Sequence, residues 1–173
     1  MCIRDSINGI TGGYSLIILG ALAYINEEMV SFAEPALIYT VLCSVVVFCF
    51  FNFRRKAKCF AGDVGSVSIA FILLFLIGKL ILKTEDFSWM ILLAVYGVDS
   101  VLTIIHRLML HENIGLPHRK HMYQLMANEL KIPHVVVSLV YMAVQAIVII
   151  GYIYCQNWGS VSYTHLRAHE TVL

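Results

Sequence analysis

Five stretches of this chain are apolar over nearly the length a helix needs to cross a bilayer: Ile10–Ile25, Pro35–Phe53, Val64–Leu82, Ser88–Ile105 and Pro133–Tyr154. A hydrocarbon core about 30 Å thick asks for about 20 mainly apolar residues. Inside it, backbone N–H and C=O groups find no water, so each stretch must satisfy its own hydrogen bonds as a helix. The first stretch is short and glycine-rich, and it is the weakest of the five. With 60% hydrophobic and 13% charged residues, a chain of 173 residues has too little polar surface for a soluble globule. The expected fold is all-α: a polytopic transmembrane helix bundle of about five spans, without soluble domains.

Orientation follows from the basic residues of the short loops. Arg54, Arg55, Lys56 and Lys58 fall in one loop, and Arg107, Arg119, Lys120 and Lys131 in another. The opposite loops carry Glu27, Glu28 and Glu34, then Lys83, Glu85 and Asp86. Five alternating spans put both basic loops on one face, which is expected to be cytoplasmic. A net charge of +1 carries no information about partners, and no nucleic-acid partner is expected. The cysteines Cys2, Cys43, Cys49, Cys59 and Cys155 show no metal-ligand spacing and read as small buried hydrophobes and a reduced loop thiol.

Both ends resemble translated sequencing-adapter sequence rather than native protein. Residues 1–6 and 160–173 are therefore set aside, together with His165 and His169. The stretch 7–159 is read as a fragment of a larger bundle, its C-terminal half.

Polar chemistry concentrates in the two basic loops. Phe60-Ala61-Gly62-Asp63-Val64-Gly65-Ser66 stands at the mouth of the third span. An acid between glycines beside basic residues suits a hard divalent cation and phosphates, since Mg2+ takes carboxylate oxygens plus substrate oxygens. Gly62 and Gly65 lack Cβ atoms and allow a bend and close backbone approach. A helix starting near Val64 would aim its free N–H groups at the same place. An equally good reading makes Asp63 a helix N-cap with Ser66 as its companion, and the basic run an interfacial anchor.

The second loop carries His106-Arg107, His111, and then His118-Arg119-Lys120-His121-Met122-Tyr123-Gln124. On a helix His118 and His121 would share a face. Arg119 beside them suits a phosphate or carboxylate. The competing reading is an amphipathic interfacial segment among lipid headgroups. Asp99, inside the fourth span, is expected to face a polar cavity or a partner, ordering the loop through Arg107 or Thr103. It also admits a different class of protein, a membrane transporter with an intramembrane ion site at Asp99.

Taken in order, Asn52, Phe60-x-Gly62-Asp63-x-Gly65-Ser66, Asp99, His106-Arg107 and Arg119-x-His121 resemble the polyprenyl-phosphate N-acetylhexosamine-1-phosphate transferases of glycosyltransferase family 4. Within them the chain is more similar to the UDP-GlcNAc:undecaprenyl-phosphate GlcNAc-1-phosphate transferase branch than to the phospho-N-acetylmuramoyl-pentapeptide transferases, which are the alternative. The resemblance implies transfer of a sugar 1-phosphate from a UDP-sugar to undecaprenyl phosphate at the cytoplasmic face of a bacterial inner membrane. UMP is released, and Mg2+ (or Mn2+) is required. It makes Asp63 the metal-contacting acid and places Asn52 near the nucleotide-sugar. His121 is implied as catalytic, and Arg119 and His118 meet the diphosphate and sugar. Gly62, Gly65 and Ser66 shape the substrate site, and Asn8 of Ile7-Asn8-Gly9 stands where a second motif acid is common. A homodimer is compatible with it. Two departures stand out: Tyr123 and Gln124 replace further histidines, and the paired aspartates of the family are expected upstream of residue 7. The chain alone is therefore expected to be inactive.

Overall fold

In the computed structural model of the chain, residues 9–53, 58–111 and 121–170 are described, the side chains of Asp63, Asn128 and residues 157–170 excepted. Helix α1 runs over Ile10–Glu28, α2 over Pro35–Asn52 and α3 over Gly62–Thr84. A 3-10 helix over Phe87–Leu93 leads into α4, Ala94–Met109; α5 is the short Met122–Asn128, and α6 runs over His134–Glu170. The described residues contain no strand.

Four helical segments are long and apolar enough to cross a membrane: Pro35–Asn52, Val64–Thr84, Phe87–Met109 and His134–Gln156. Helix α1 is not among them, yet it is the most enclosed. Ten of its 19 residues are buried, and Ile18, Leu19, Leu22 and Ile25 are fully so. It packs against α2, α6 and α3. Small residues make this possible. A Cβ on Gly12 would stand 2.6 Å from the Cys49 sulfur on α2, and one on Gly13 would stand 2.5 Å from the Met142 sulfur on α6. Close backbone approach of this kind is how helices associate where lipid removes the hydrophobic drive.

Around α1 the core draws Ile38 and Val45 from α2, Leu76, Ile77 and Leu80 from α3, and Trp89, Leu92 and Ile149 from the later elements. The opposite faces are apolar and open: Val47 and Phe50 on α2, Phe71 on α3, Leu102 on α4, Ile147 and Ile150 on α6. In a bilayer those faces meet acyl chains, which accept them without cost.

Two expectations change. The span Ser88–Ile105 is not one helix, because the chain runs as a 3-10 helix to Leu93 before α4 begins. The third helix starts at Gly62, not near Val64, with Ala61 as its N-cap and no side-chain cap, so Asp63 is inside α3 rather than capping it. Ser66 Oγ donates back to the Gly62 carbonyl at 2.8 Å, the local bond a hydroxyl makes within a helix. The backbone of α6 runs helical through Glu170, into the stretch set aside above.

Candidate functional site

Polar side chains from separate elements meet at one end of the bundle. Asn52, the last residue of α2, is 6% exposed, and both ends of its amide are engaged. Its oxygen accepts the Gly9 N–H at 2.7 Å, and its nitrogen donates to the Cys59 carbonyl at 2.6 Å. One side chain thus ties the start of α1 to the end of α2 and to the loop leading to Gly62-Asp63. Gly9 needs to be glycine here. Its φ is 85°, and an added Cβ would lie 2.1 Å from the Phe53 ring. Gly62 also has a left-handed φ, 64°, which turns the chain into α3.

Helix α4 is built inside out. Its buried residues are Asp99, Thr103 and Arg107, spaced four apart and therefore on one face. Val98, Val101, Leu102, Ile105 and Leu108 are exposed. The Asp99 carboxylate reaches across to the second loop: Oδ1 accepts the Met122 N–H at 2.9 Å, and Oδ2 stands 3.1 Å from His121 Nδ1. An acceptor at the first N–H of α5 is well placed, since that group has no partner within the helix. Asp99 therefore does order the loop, but through His121 and Met122 rather than through Arg107 or the Thr103 hydroxyl. Thr103 Oγ1 donates to the Asp99 backbone carbonyl at 2.7 Å and lies 3.4 Å from His121 Nδ1.

His121 is extended (φ −66°, ψ 146°) and immediately precedes α5. The Tyr123 ring stacks on its imidazole, with centroids 5.3 Å apart and planes 11° from parallel. Tyr123 also belongs to an aromatic group with Tyr14, Tyr96 and Tyr141. Behind it lies Gln145 of α6, fully buried. Its amide nitrogen donates to the Ile91 and Leu92 carbonyls at 3.1 and 3.0 Å. Its oxygen accepts the Val95 N–H at 3.1 Å and the Tyr14 hydroxyl at 2.9 Å. Ile91, Leu92 and Val95 flank the point where the 3-10 helix gives way to α4, and the Ile91 carbonyl also accepts the Ala94 N–H, so Gln145 braces the start of α4, one turn before Asp99.

A cavity of about 260 Å³ joins the two loop-derived motifs: Ser66 and His121 both line it, with Thr11, Ser15 and Ser100 as further polar groups and Tyr123 beside His121. Its remaining wall is largely apolar, including Ile69, Leu73 and Leu93. Among the residues expected from sequence, Ser66 and His121 come together. Asn52 binds the Gly9 and Cys59 backbone, and Gly62, Asp63 and Gly65 lie on the first turn of α3. Asn8, His118 and Arg119 are outside the described residues, as are Arg54, Arg55, Lys56 and Lys120 and the side chain of Asp63. Sequence reasoning missed Thr11, Ser15, Ser100, Tyr96 and Gln145. The available signal was a buried-type glutamine in a span otherwise free of amides until Gln156. Tyr123 and Gln124, which depart from the family's histidines, are both 3% exposed.

Among the described residues no three His, Cys, Asp or Glu side chains gather as metal ligands. The described cysteines are free thiols. A single motif carboxylate completed by phosphate oxygens is a donor set that Mg2+ accepts.

Comparison with known proteins gives the site a context. Residues 1–81 match the family described as glycosyl transferase family 4. The phospho-N-acetylmuramoyl-pentapeptide-transferases of Lactobacillus acidophilus and Lactobacillus helveticus are each 33% identical over 67 residues, 39% of this chain and 20% of theirs. The probable undecaprenyl-phosphate N-acetylglucosaminyl 1-phosphate transferase of Bacillus subtilis is 30% identical over 124 residues, 69% of this chain and 34% of that protein. The chain thus spans between a fifth and about a third of the length of these relatives. No solved structure matches it.

Proposed function

The chain belongs to glycosyl transferase family 4, and we propose that it forms part of an enzyme moving a sugar 1-phosphate from a UDP-sugar onto undecaprenyl phosphate. In this reaction a phosphate oxygen of the lipid attacks the phosphorus that carries the sugar. The bond from that phosphorus to the bridging oxygen breaks, and the oxygen leaves on UMP. The products are UMP and a lipid diphosphate sugar. We place the site on the cytoplasmic face of a bacterial membrane, following the basic loops.

The observation that best supports this reading is the shared cavity. Ser66, one turn after Gly62-Asp63, and His121 of the second loop line the same space, although 55 positions separate them in sequence. Two phosphorylated substrates bring several negative charges together. The first turn of α3 offers open N–H groups. Mg2+ or Mn2+, held by Asp63 and completed by phosphate oxygens, would offset phosphate charge. Asn52 holds the loop before Asp63 to the start of α1, which limits the motions available to the motif. His121 addresses the phosphates from the other side, with Arg119 as a further anion partner.

For the sugar, the wider coverage of the Bacillus relative favours N-acetylglucosamine 1-phosphate. The higher local identity to the two Lactobacillus proteins favours the pentapeptide-bearing donor as the second reading. A UMP-release assay on the intact protein, with undecaprenyl phosphate, Mg2+ and a panel of UDP-sugars, separates the two. Asp63→Asn is expected to abolish UMP release while membrane insertion is retained. Undiminished turnover in that variant would remove Asp63 from the chemistry and the assignment with it.

A further inference from the structure

We infer that Asp99 and Thr103 are positioning residues that fix the tautomer of His121; this rests on His121 lying in the transferase site proposed above. Two oxygens converge on Nδ1 of the ring, Asp99 Oδ2 at 3.1 Å and Thr103 Oγ1 at 3.4 Å. Neither has a proton to give. The Thr103 hydroxyl proton is already committed to the Asp99 carbonyl at 2.7 Å, and an ionised carboxylate only accepts. Nδ1 must therefore carry the hydrogen. In neutral His121 that leaves Nε2 as the ring's basic nitrogen. The ring cannot turn over to exchange the two nitrogens, because Tyr123 stacks on its face and the carboxylate is itself held by the Met122 N–H.

The consequence is chemical. A proton can be received from or delivered to a phosphate oxygen only at Nε2, and Asp99 stabilises the charge whenever His121 holds both protons. The pattern is that of a carboxylate orienting a histidine through its far nitrogen. Asp99 touches no substrate in this account. It is 6% exposed, at the buried stripe of α4, and it acts through the ring.

Asp99→Asn tests this with little change in shape. The asparagine oxygen can still accept the Met122 N–H, but its NH2 then points at Nδ1 and donates to it. The tautomer is expected to reverse, with the hydrogen moving to Nε2. Nitrogen-15 spectra of the histidine-labelled intact protein in lipid nanodiscs read this directly, and His121→Gln identifies the resonance among the histidines, seven of them in this chain. The expected result is an Nδ1–H pattern in the parent and an Nε2–H pattern in Asp99→Asn. A fall in kcat of about 10- to 100-fold should accompany it, with the KM for the UDP-sugar changed less than about twofold. Thr103→Val, which removes only the weaker acceptor, should keep the Nδ1–H pattern and so serves if Asp99→Asn does not fold. An Nε2–H pattern in the parent, or one unaltered by Asp99→Asn, overturns the inference. If no UDP-sugar yields UMP but the tautomer reverses as stated, the transferase reading fails and the positioning of the ring stands.

Discussion

Helices α1 and α4 solve opposite problems with the same bilayer. Helix α1 has glycines, Tyr14, Ser15 and Asn26 among its apolar residues and falls short as a crossing segment, yet it is enclosed on nearly every side. Helix α4, with the 3-10 turn before it, is apolar enough to cross; the turn buries Trp89 and Leu92, and α4 itself buries only Asp99, Thr103 and Arg107. In water the more apolar helix would be the one inside. Here lipid accepts leucine and isoleucine freely, so large apolar side chains fill both the core and the outer faces, while the polar ones that need partners are drawn inside. Hydropathy alone does not decide which helix is enclosed.

The comparison can be broken by truncating equivalent side chains on the two helices. Leu22→Ala on α1 removes a fully buried side chain from the centre of the core and should cost about 2–5 kcal/mol, since neighbours on three helices cannot all collapse into the gap. Unfolding in mixed micelles measures it. Gly9→Ala, at the cap of α1, should cost about 1–3 kcal/mol, because a left-handed φ and the Phe53 ring both oppose a Cβ. The same titration should show that loss, and it should carry over to the Asn52 contact, loosening the loop before Asp63. Leu102→Ala on α4, where the side chain is 56% exposed, should stay within about 0.5 kcal/mol. A cost at Leu102 matching that at Leu22 would mean that the outer face of α4 is covered, and the contrast between the helices would be lost.

How much of this was legible beforehand follows the same line. The segments α2, α3 and α6 announce themselves, because apolar length is a local property. The centrality of α1 does not, since hydropathy ranks helices by affinity for lipid and cannot say which is surrounded by protein. At the site, the one-dimensional pattern singles out Asn52, Gly62-Asp63 and His121. It also puts Asp99 in play with Thr103, whose hydroxyl does bond the Asp99 backbone carbonyl, but not with His121, which is reached across a loop and 22 positions away. The break at Leu93 was hidden for a related reason. The group that donates to the carbonyls there, the Gln145 amide, is 53 residues downstream of Leu92.

That separation bears on how the molecule is made. A chain delivered to the membrane from its N-terminus presents Tyr14 and the 3-10 turn long before Gln145 exists; the amide lies 131 positions beyond Tyr14. Until α6 arrives, the helix with Asp99 and Arg107 lacks the Gln145 amide that holds its start. A crossing segment made after the motifs is therefore the keystone. The site is completed backwards, from α6 to the motifs that precede it.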